Sequence, residues 1–258
     1  MKSLSDVVVV TNRKGGTGKT TTAVNVAAEF AARGLKILVI DLDTQGHCAV
    51  GLGIAVKRGE PTVHHLFDYK GFKLSDAIRA TEWPNLHLAP ANPLFEHNIS
   101  NKDYWALVRA FKEEKLREVY DLIILDTPPS LDSLMMNALL AGSHVLIPFV
   151  PHPLASEGIK NLARILFKVS SGPNPDLKLL ALLPIMISNR VRQHGLVKEG
   201  ISKQFGDRRL LSGIRRDIKL AEAFAYRKPI REYAPKSRGA EDYAIATKEI
   251  APRLGMSL

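Results

Sequence analysis

One stretch, RKGGTGKTTT from Arg13 to Thr22, restricts this chain more than any other. Four valines (Val7–Val10) precede it and an Ala-rich segment follows, so a buried strand, a glycine turn and a helix are expected in that order. Gly15, Gly16 and Gly18 let successive backbone N–H groups converge, and the positive end of the helix dipole adds to them. This is the pattern of a phosphate-binding loop walled by Gly15, Gly16, Thr17, Gly18, Lys19, Thr20 and Thr21. Lys19 is placed to reach β- and γ-phosphates, and the Thr20 hydroxyl to ligate Mg²⁺. The usual spacing, G-x-x-x-x-G-K-[ST], asks for glycine at position 13. Arg13 stands there instead, with a second lysine, Lys14, directly after it.

Further apolar runs recur along the chain: ILVI (Ile37–Ile40), LIIL (Leu122–Leu125), VLIPFV (Val145–Val150) and LLALLPIMI (Leu179–Ile187). They are continuous rather than alternating, as in strands buried on both faces of a parallel sheet. Helical patterns over Thr20–Arg33, Asp103–Val119 and Ser156–Val169 separate them. The expectation is an α/β fold, a mostly parallel twisted sheet with helices on both faces. No Pro/Gly/Ser-rich linker divides the chain, so residues 1–258 are expected to form one domain. Lys57–Asn101 reads as loops and short helices. No apolar run approaches a membrane span, and the first residues lack a signal-peptide pattern. The single cysteine, Cys48, excludes an internal disulfide, fits a reducing cytoplasm and reads as a small core residue.

Carboxylates end two of these strands. ILVIDLDTQGH places Asp41 and Asp43 after one, and LIILDTPPS places Asp126 after another. Ligands of open α/β sheets sit at the carboxyl ends of strands. A carboxylate behind four apolar residues is costly unless a metal or a partner meets it.

Together these segments resemble the ParA/MinD superfamily, whose deviant Walker A motif has the form K-G-G-T-G-K-T-T seen here. The likeness covers nearly the whole chain: LDTPPSLDSLMMNAL is similar to the Walker B region of ParA-type, Soj-like proteins, and IRRDIKLAEAFAYRKPIREYAPKSRGAEDYAIATKEI to their C-terminal block. It implies an ATPase using ATP and Mg²⁺, with Asp126 as the Walker B aspartate and Asp41 supporting the metal. Asp43 matches the D-x-D aspartate that positions the attacking water. Lys14 matches the signature lysine, which crosses a dimer interface to the partner's phosphates. Thr44 and His47 depart from the family's D-x-D-P-Q-G-N pattern, and VPHPLASEG is shorter than the corresponding family segment. Asn189 and Pro151 are the positional candidates for the adenine pocket. The resemblance further implies an ATP-bound homodimer, non-specific duplex DNA as partner, and a ParB-like or cargo-adaptor protein that stimulates hydrolysis. The location implied is cytoplasmic and nucleoid-associated.

Charge separates the branches of the superfamily. The formal net charge is +10. Residues 1–150 hold 16 basic and 16 acidic residues, so the excess lies in residues 151–258, with 20 against 10. Arg190–Arg238 alone holds 14 basic and 5 acidic residues, a footprint suited to a polyanion. Arg190, Arg192, Arg215, Arg216 and Lys219 are the candidate DNA contacts. A P-loop biosynthetic enzyme acting on a small molecule is the alternative and would not need this excess. One cysteine per chain is too few for an iron–sulfur reductase of the nitrogenase type. The tail KEIAPRLGMSL, broken by Pro252 and Gly255, does not suit a membrane-binding helix. The P-loop strand starts near residue 7, so an N-terminal operator-binding domain is not expected. His64 and His65 are adjacent and would not chelate a metal together.

Overall fold

The computed structural model describes residues 4–95, 103–188 and 190–257. Seven strands form one sheet: β1 (Asp6–Val10), β2 (Ile37–Asp41), β3 (Arg79–Ala80), β4 (Leu86–Ala89), β5 (Leu122–Asp126), β6 (His144–Phe149) and β7 (Lys178–Pro184). Their order is β3-β4-β2-β5-β1-β6-β7, and every pair is parallel except β3–β4 at the edge. The helices are α1 (Lys19–Ala31), α2 (His47–Gly51), α3 (His65–Asp68), α4 (Ala106–Glu113), α5 (Leu116–Val119) and α6 (Ser133–Ala141). They continue with α7 (Ala155–Ser170), α8 (Arg192–Phe205), α9 (Lys219–Ala225), α10 (Ile230–Tyr233) and α11 (Arg238–Ile250).

The uninterrupted apolar runs have a simple cause. Val8 and Val10, Ile37 and Val39, and Leu122 and Ile124 enter a core shared with α1 and α11. Their neighbours Val7 and Val9, Leu38 and Ile40, and Ile123 and Leu125 enter a second core under α4, α6 and α7. Side chains alternate across a strand, so a sheet covered on both faces needs apolar residues at every position. The α/β reading therefore holds, with helices on both faces. On α1, Ala23, Val24, Ala27 and Phe30 are buried in the first core. Truncating the fully buried Phe30 to alanine would cost about 3–5 kcal/mol.

Two expectations need correcting. The helix over Asp103–Val119 is two helices, because Lys115 turns left-handed at φ 51° between α4 and α5. The Lys57–Asn101 stretch contains strands β3 and β4 besides short helices. LHLA of β4 is too short for a clear pattern, and it is fixed by pairing in register with Ile37–Ile40.

Candidate functional site

β1 lies inside the sheet, between β5 and β6, where the chain's connections diverge to the two sides. Its carboxyl end runs into the glycine loop. Gly18 is the N-cap of α1 in left-handed conformation (φ 63°), and a β-carbon there would stand 2.7 Å from Ile185 Cδ1. Glycine meets both without strain; any other residue would add the left-handed penalty and displace the Ile185 side chain. No side chain caps α1, so its first N–H groups face the cavity. The loop is tied down from behind: Asn12 Nδ2 donates to the Pro148 carbonyl (2.8 Å), and Thr17 Oγ1 donates to the Lys14 carbonyl (3.0 Å).

Register then assembles the carboxylates. Asp41 and Asp126 are partners in the β2–β5 ladder, and Val10 faces Asp126 in β1–β5. Both aspartates are fully buried. Thr20 Oγ1 donates to Asp126 Oδ2 at 2.6 Å, and the Cys48 thiol reaches the same oxygen at 3.4 Å. Asp126 Oδ1 is buried and has no hydrogen-bond partner among the described residues. Asp41 accepts from the backbone N–H groups of Asp43 (3.1 Å) and Cys48 (3.0 Å). Ligand atoms of Asp41, Cys48 and Asp126 all lie within 4.8 Å of one another.

The electrostatics are those of a carboxylate pair short of positive charge. Burial pushes the Asp126 carboxyl up to about 6, against the pull of the Thr20 hydroxyl and the Lys19 ammonium. Burial and the neighbouring Asp126 push Asp41 well above the usual carboxylate range. An unpartnered carboxylate oxygen beside a threonine hydroxyl, in a cluster too negative for its surroundings, fits a hard divalent cation. The Lys19 side chain is buried but makes no ion pair with the described residues, which leaves its ammonium for an anion.

In front of this cluster lies a cavity of about 940 Å³. Gly15 to Thr21, Asp43, Gln45 and His47 line one part of it, and Pro128, Ser130, Met186 and Phe224 another. The volume suits a nucleotide-sized ligand. The structure thus brings together Gly15, Gly16, Thr17, Gly18, Lys19, Thr20, Thr21, Asp41, Asp43 and Asp126. Lys14 is outside the group: its Nζ lies 2.7 Å from His152 Nε2, beside a separate small hollow. Pro151 is buried after β6 and is not among the cavity's lining residues. Asn189 lies outside the described residues. Met186 and Phe224 are lining residues that the motifs did not indicate. Their signal was faint, an apolar residue beyond a strand and another in a helix.

The five basic candidates divide. Arg215 is engaged by Asp242 (3.0 and 2.7 Å) and Glu241 (2.5 Å), and Lys219 by Glu222 (2.7 Å). Arg190, Arg192 and Arg216 are exposed and make no ion pair with the described residues. No described helix is long and apolar enough to cross a membrane.

An AAA-domain family profile matches residues 5–179. The chromosome-partitioning ATPase Soj of Thermus thermophilus is 36% identical over 96% of this chain and 96% of its own length. Among solved structures, cobyrinic acid a,c-diamide synthase of Mycobacterium smegmatis with bound ADP and magnesium is 29% identical, with a TM-score of 0.77 over 95% of this chain and 93% of that one. The septum site-determining protein MinD of Pyrococcus horikoshii, complexed with Mg-ADP, is 25% identical, with a TM-score of 0.80 over 96% of each chain. With the phosphate loop, the paired buried aspartates and these likenesses in hand, the chain belongs to the ParA-type ATPases of the ParA/MinD superfamily.

Proposed function

We propose that residues 1–258 are a single ATPase domain that binds Mg-ATP, closes into a homodimer, and as a dimer holds duplex DNA without regard to sequence. The observation that carries the nucleotide chemistry is the open N-terminus of α1 facing the buried Asp41–Asp126 pair. The α1 N–H groups and Lys19 bind the phosphates. The Thr20 hydroxyl and Asp126, with Asp41 behind them, would hold Mg²⁺, which when bound would supply positive charge against that of the phosphates. Asp43, on the cavity wall, orients a water for in-line attack on the γ-phosphorus, and the bond to the bridging oxygen breaks to leave ADP and phosphate. Lys14 faces away from its own cavity, which supports a role at the partner's phosphates.

The basic third supports the DNA reading. Few aromatics interleave with its cations, so contacts to duplex phosphates suit it better than stacking on single strands. Arg190, Arg192 and Arg216 lead, being exposed and unengaged by the described acids. Arg215 and Lys219 stand behind them because their charges are already met. Such a protein works in the cytoplasm on the nucleoid, partitioning a plasmid, a chromosome origin or a protein assembly. A ParB-like or cargo-adaptor partner stimulates hydrolysis. A small-molecule synthase would leave the +9 of Arg190–Arg238 without an occupant.

Gel retardation of long duplex DNA tests this. Retardation is expected with Mg-ATP, not with ADP, for unrelated sequences alike. If about six phosphates are contacted, affinity falls by roughly 10³-fold between about 50 and 200 mM salt. No retardation with Mg-ATP at low salt would return the small-molecule enzyme as the better reading.

A further inference from the structure

We propose that His64 is a positioning residue for hydrolysis, fixing the peptide plane from which Asp43 projects; this rests on the reading of Asp43 as the water-orienting carboxylate. His64 is fully buried, outside every motif of the phosphate site. Its Nδ1 accepts the Asn92 backbone N–H at 2.9 Å, which assigns the ring proton to Nε2. Nε2 then donates to the Leu42 carbonyl at 3.3 Å. That carbonyl belongs to the same peptide unit as the Asp43 N–H, which donates to Asp41 Oδ1 at 3.1 Å. The plane leading into Asp43 is therefore pinned at both ends, by a histidine at its oxygen and by Asp41 at its nitrogen. The preceding peptide is held too, since the Leu42 N–H donates to the Asp126 carbonyl at 2.9 Å.

The ring has a second contact with the site. It stacks on Phe95 with centroids 4.4 Å apart and planes 13° from parallel, and Phe95 lines the nucleotide cavity. One imidazole thus joins the Asn92–Phe95 segment, of which Phe95 lines the cavity, to the turn carrying Asp43. A leucine would fill the space but supply neither donor nor acceptor. It would leave the buried Leu42 carbonyl and the partly buried Asn92 N–H without the ring, and the plane that aims Asp43 held only at its nitrogen end. Glutamine has a donor and an acceptor at comparable reach and meets both.

The test is a set of full-length variants assayed with Mg-ATP for hydrolysis, equilibrium nucleotide affinity and size. His64→Leu is expected to hydrolyse about 10- to 100-fold more slowly while binding nucleotide within about twofold of the parent, because misaiming one catalytic group costs rate rather than ground-state affinity. Like Asp43→Ala, it should accumulate the ATP-bound dimer. His64→Gln should recover most of the rate. The double variant His64→Leu/Asp43→Ala should be no slower than Asp43→Ala, since the histidine acts only through the carboxylate. If His64→Leu does not fold, His64→Asn, too short to span both contacts, must show the same loss. Full activity in these variants beside an inactive Asp43→Ala overturns the role of His64 alone, as does an additive double variant. A fully active Asp43→Ala overturns the reading of Asp43, and this inference with it.

Discussion

The two charged regions of the molecule are built in opposite ways. At the carboxyl end of the sheet, Asp41 and Asp126 are fully buried, adjacent in register, and short of positive partners. In the C-terminal third, most of the 14 basic residues of Arg190–Arg238 face solvent, several beside an acid of their own. Burying a carboxylate costs several kcal/mol, so a pair of them is retained only where a cation and an anionic ligand complete the site. An exposed arginine costs almost nothing, so its presence reports a field and not a contact. Neighbouring residues make the distinction concrete. Arg215 is locked to Asp242, whereas Arg216 points outward without an ion pair to the described residues.

The comparison breaks most sharply at the buried end. Lys19→Ala removes the one ammonium that the described residues place on the phosphate cavity and should weaken ATP binding by about 10- to 100-fold, the worth of a charge-assisted contact. Asp43→Ala should bind ATP normally, hydrolyse it about 10²- to 10⁴-fold more slowly and remain a closed dimer. Lys14→Ala should bind nucleotide yet lose turnover and ATP-driven dimerisation. Equilibrium nucleotide titration together with sizing in Mg-ATP separates the three. A Lys14→Ala protein with parental hydrolysis would remove the reason to place this lysine at a partner's site.

At the exposed end, smaller and graded effects are expected. Arg190→Glu, Arg192→Glu and Arg216→Glu should each weaken every duplex alike and flatten the salt dependence by about one to two contacts. Basal hydrolysis should stay unchanged. Arg215→Ala should behave differently, because it strips Asp242, whose side chain is only 7% exposed, of its guanidinium partner and leaves it the backbone N–H of residue 215. The expected cost is about 1–3 kcal/mol of stability, a loss of several degrees in Tm. If Arg215→Ala instead leaves Tm unchanged and reduces DNA binding as much as Arg216→Glu, the division between engaged and open arginines is wrong.

This contrast also governs what could be read from the sequence. Strands β1, β2, β5, β6 and β7 were legible because burial on both faces forces every residue to be apolar. The phosphate loop was legible because its left-handed turns, φ 71° at Gly16 and φ 63° at Gly18, favour glycine and so leave a pattern of glycines in the sequence. Strands β3 and β4 were not, since two to four residues at a sheet edge take their structure from pairing rather than composition. Nor was Lys115, whose left-handed turn splits one helical pattern into two. Cys48 was placed in the core, and it is buried there, but its approach to Asp126 is a product of the fold. In the sequence His64 is only half of an adjacent histidine pair unsuited to a metal; its partners were not legible, because the Leu42 and Asn92 backbone groups are 22 and 28 residues away. Which arginines are engaged depends on α11 bringing Glu241 and Asp242 against Arg215.

Lys14 lies between these two kinds of charge, and its contact with His152 carries the smallest effect. Its ammonium meets the Nε2 of His152, and partial burial together with that positive charge lowers the His152 pKa below the ordinary histidine value. The Leu154 N–H stands 3.2 Å from Nδ1, so both ring nitrogens face donors; a neutral ring can accept from one of them and a protonated ring from neither, so these contacts belong to the neutral ring. Because the folded-state value is depressed, the contribution to stability is complete above the unfolded value near 6.5 and is lost as pH falls through the folded midpoint. An NMR titration of the His152 ring in nucleotide-free protein should show a midpoint below about 6.5. In Lys14→Ala the midpoint should rise, with the part due to burial remaining. A midpoint that Lys14→Ala leaves in place would mean that the lysine does not rest on His152. The ammonium would then be as free in the monomer as Arg216, and nothing in the isolated chain would hold it away from its own phosphates.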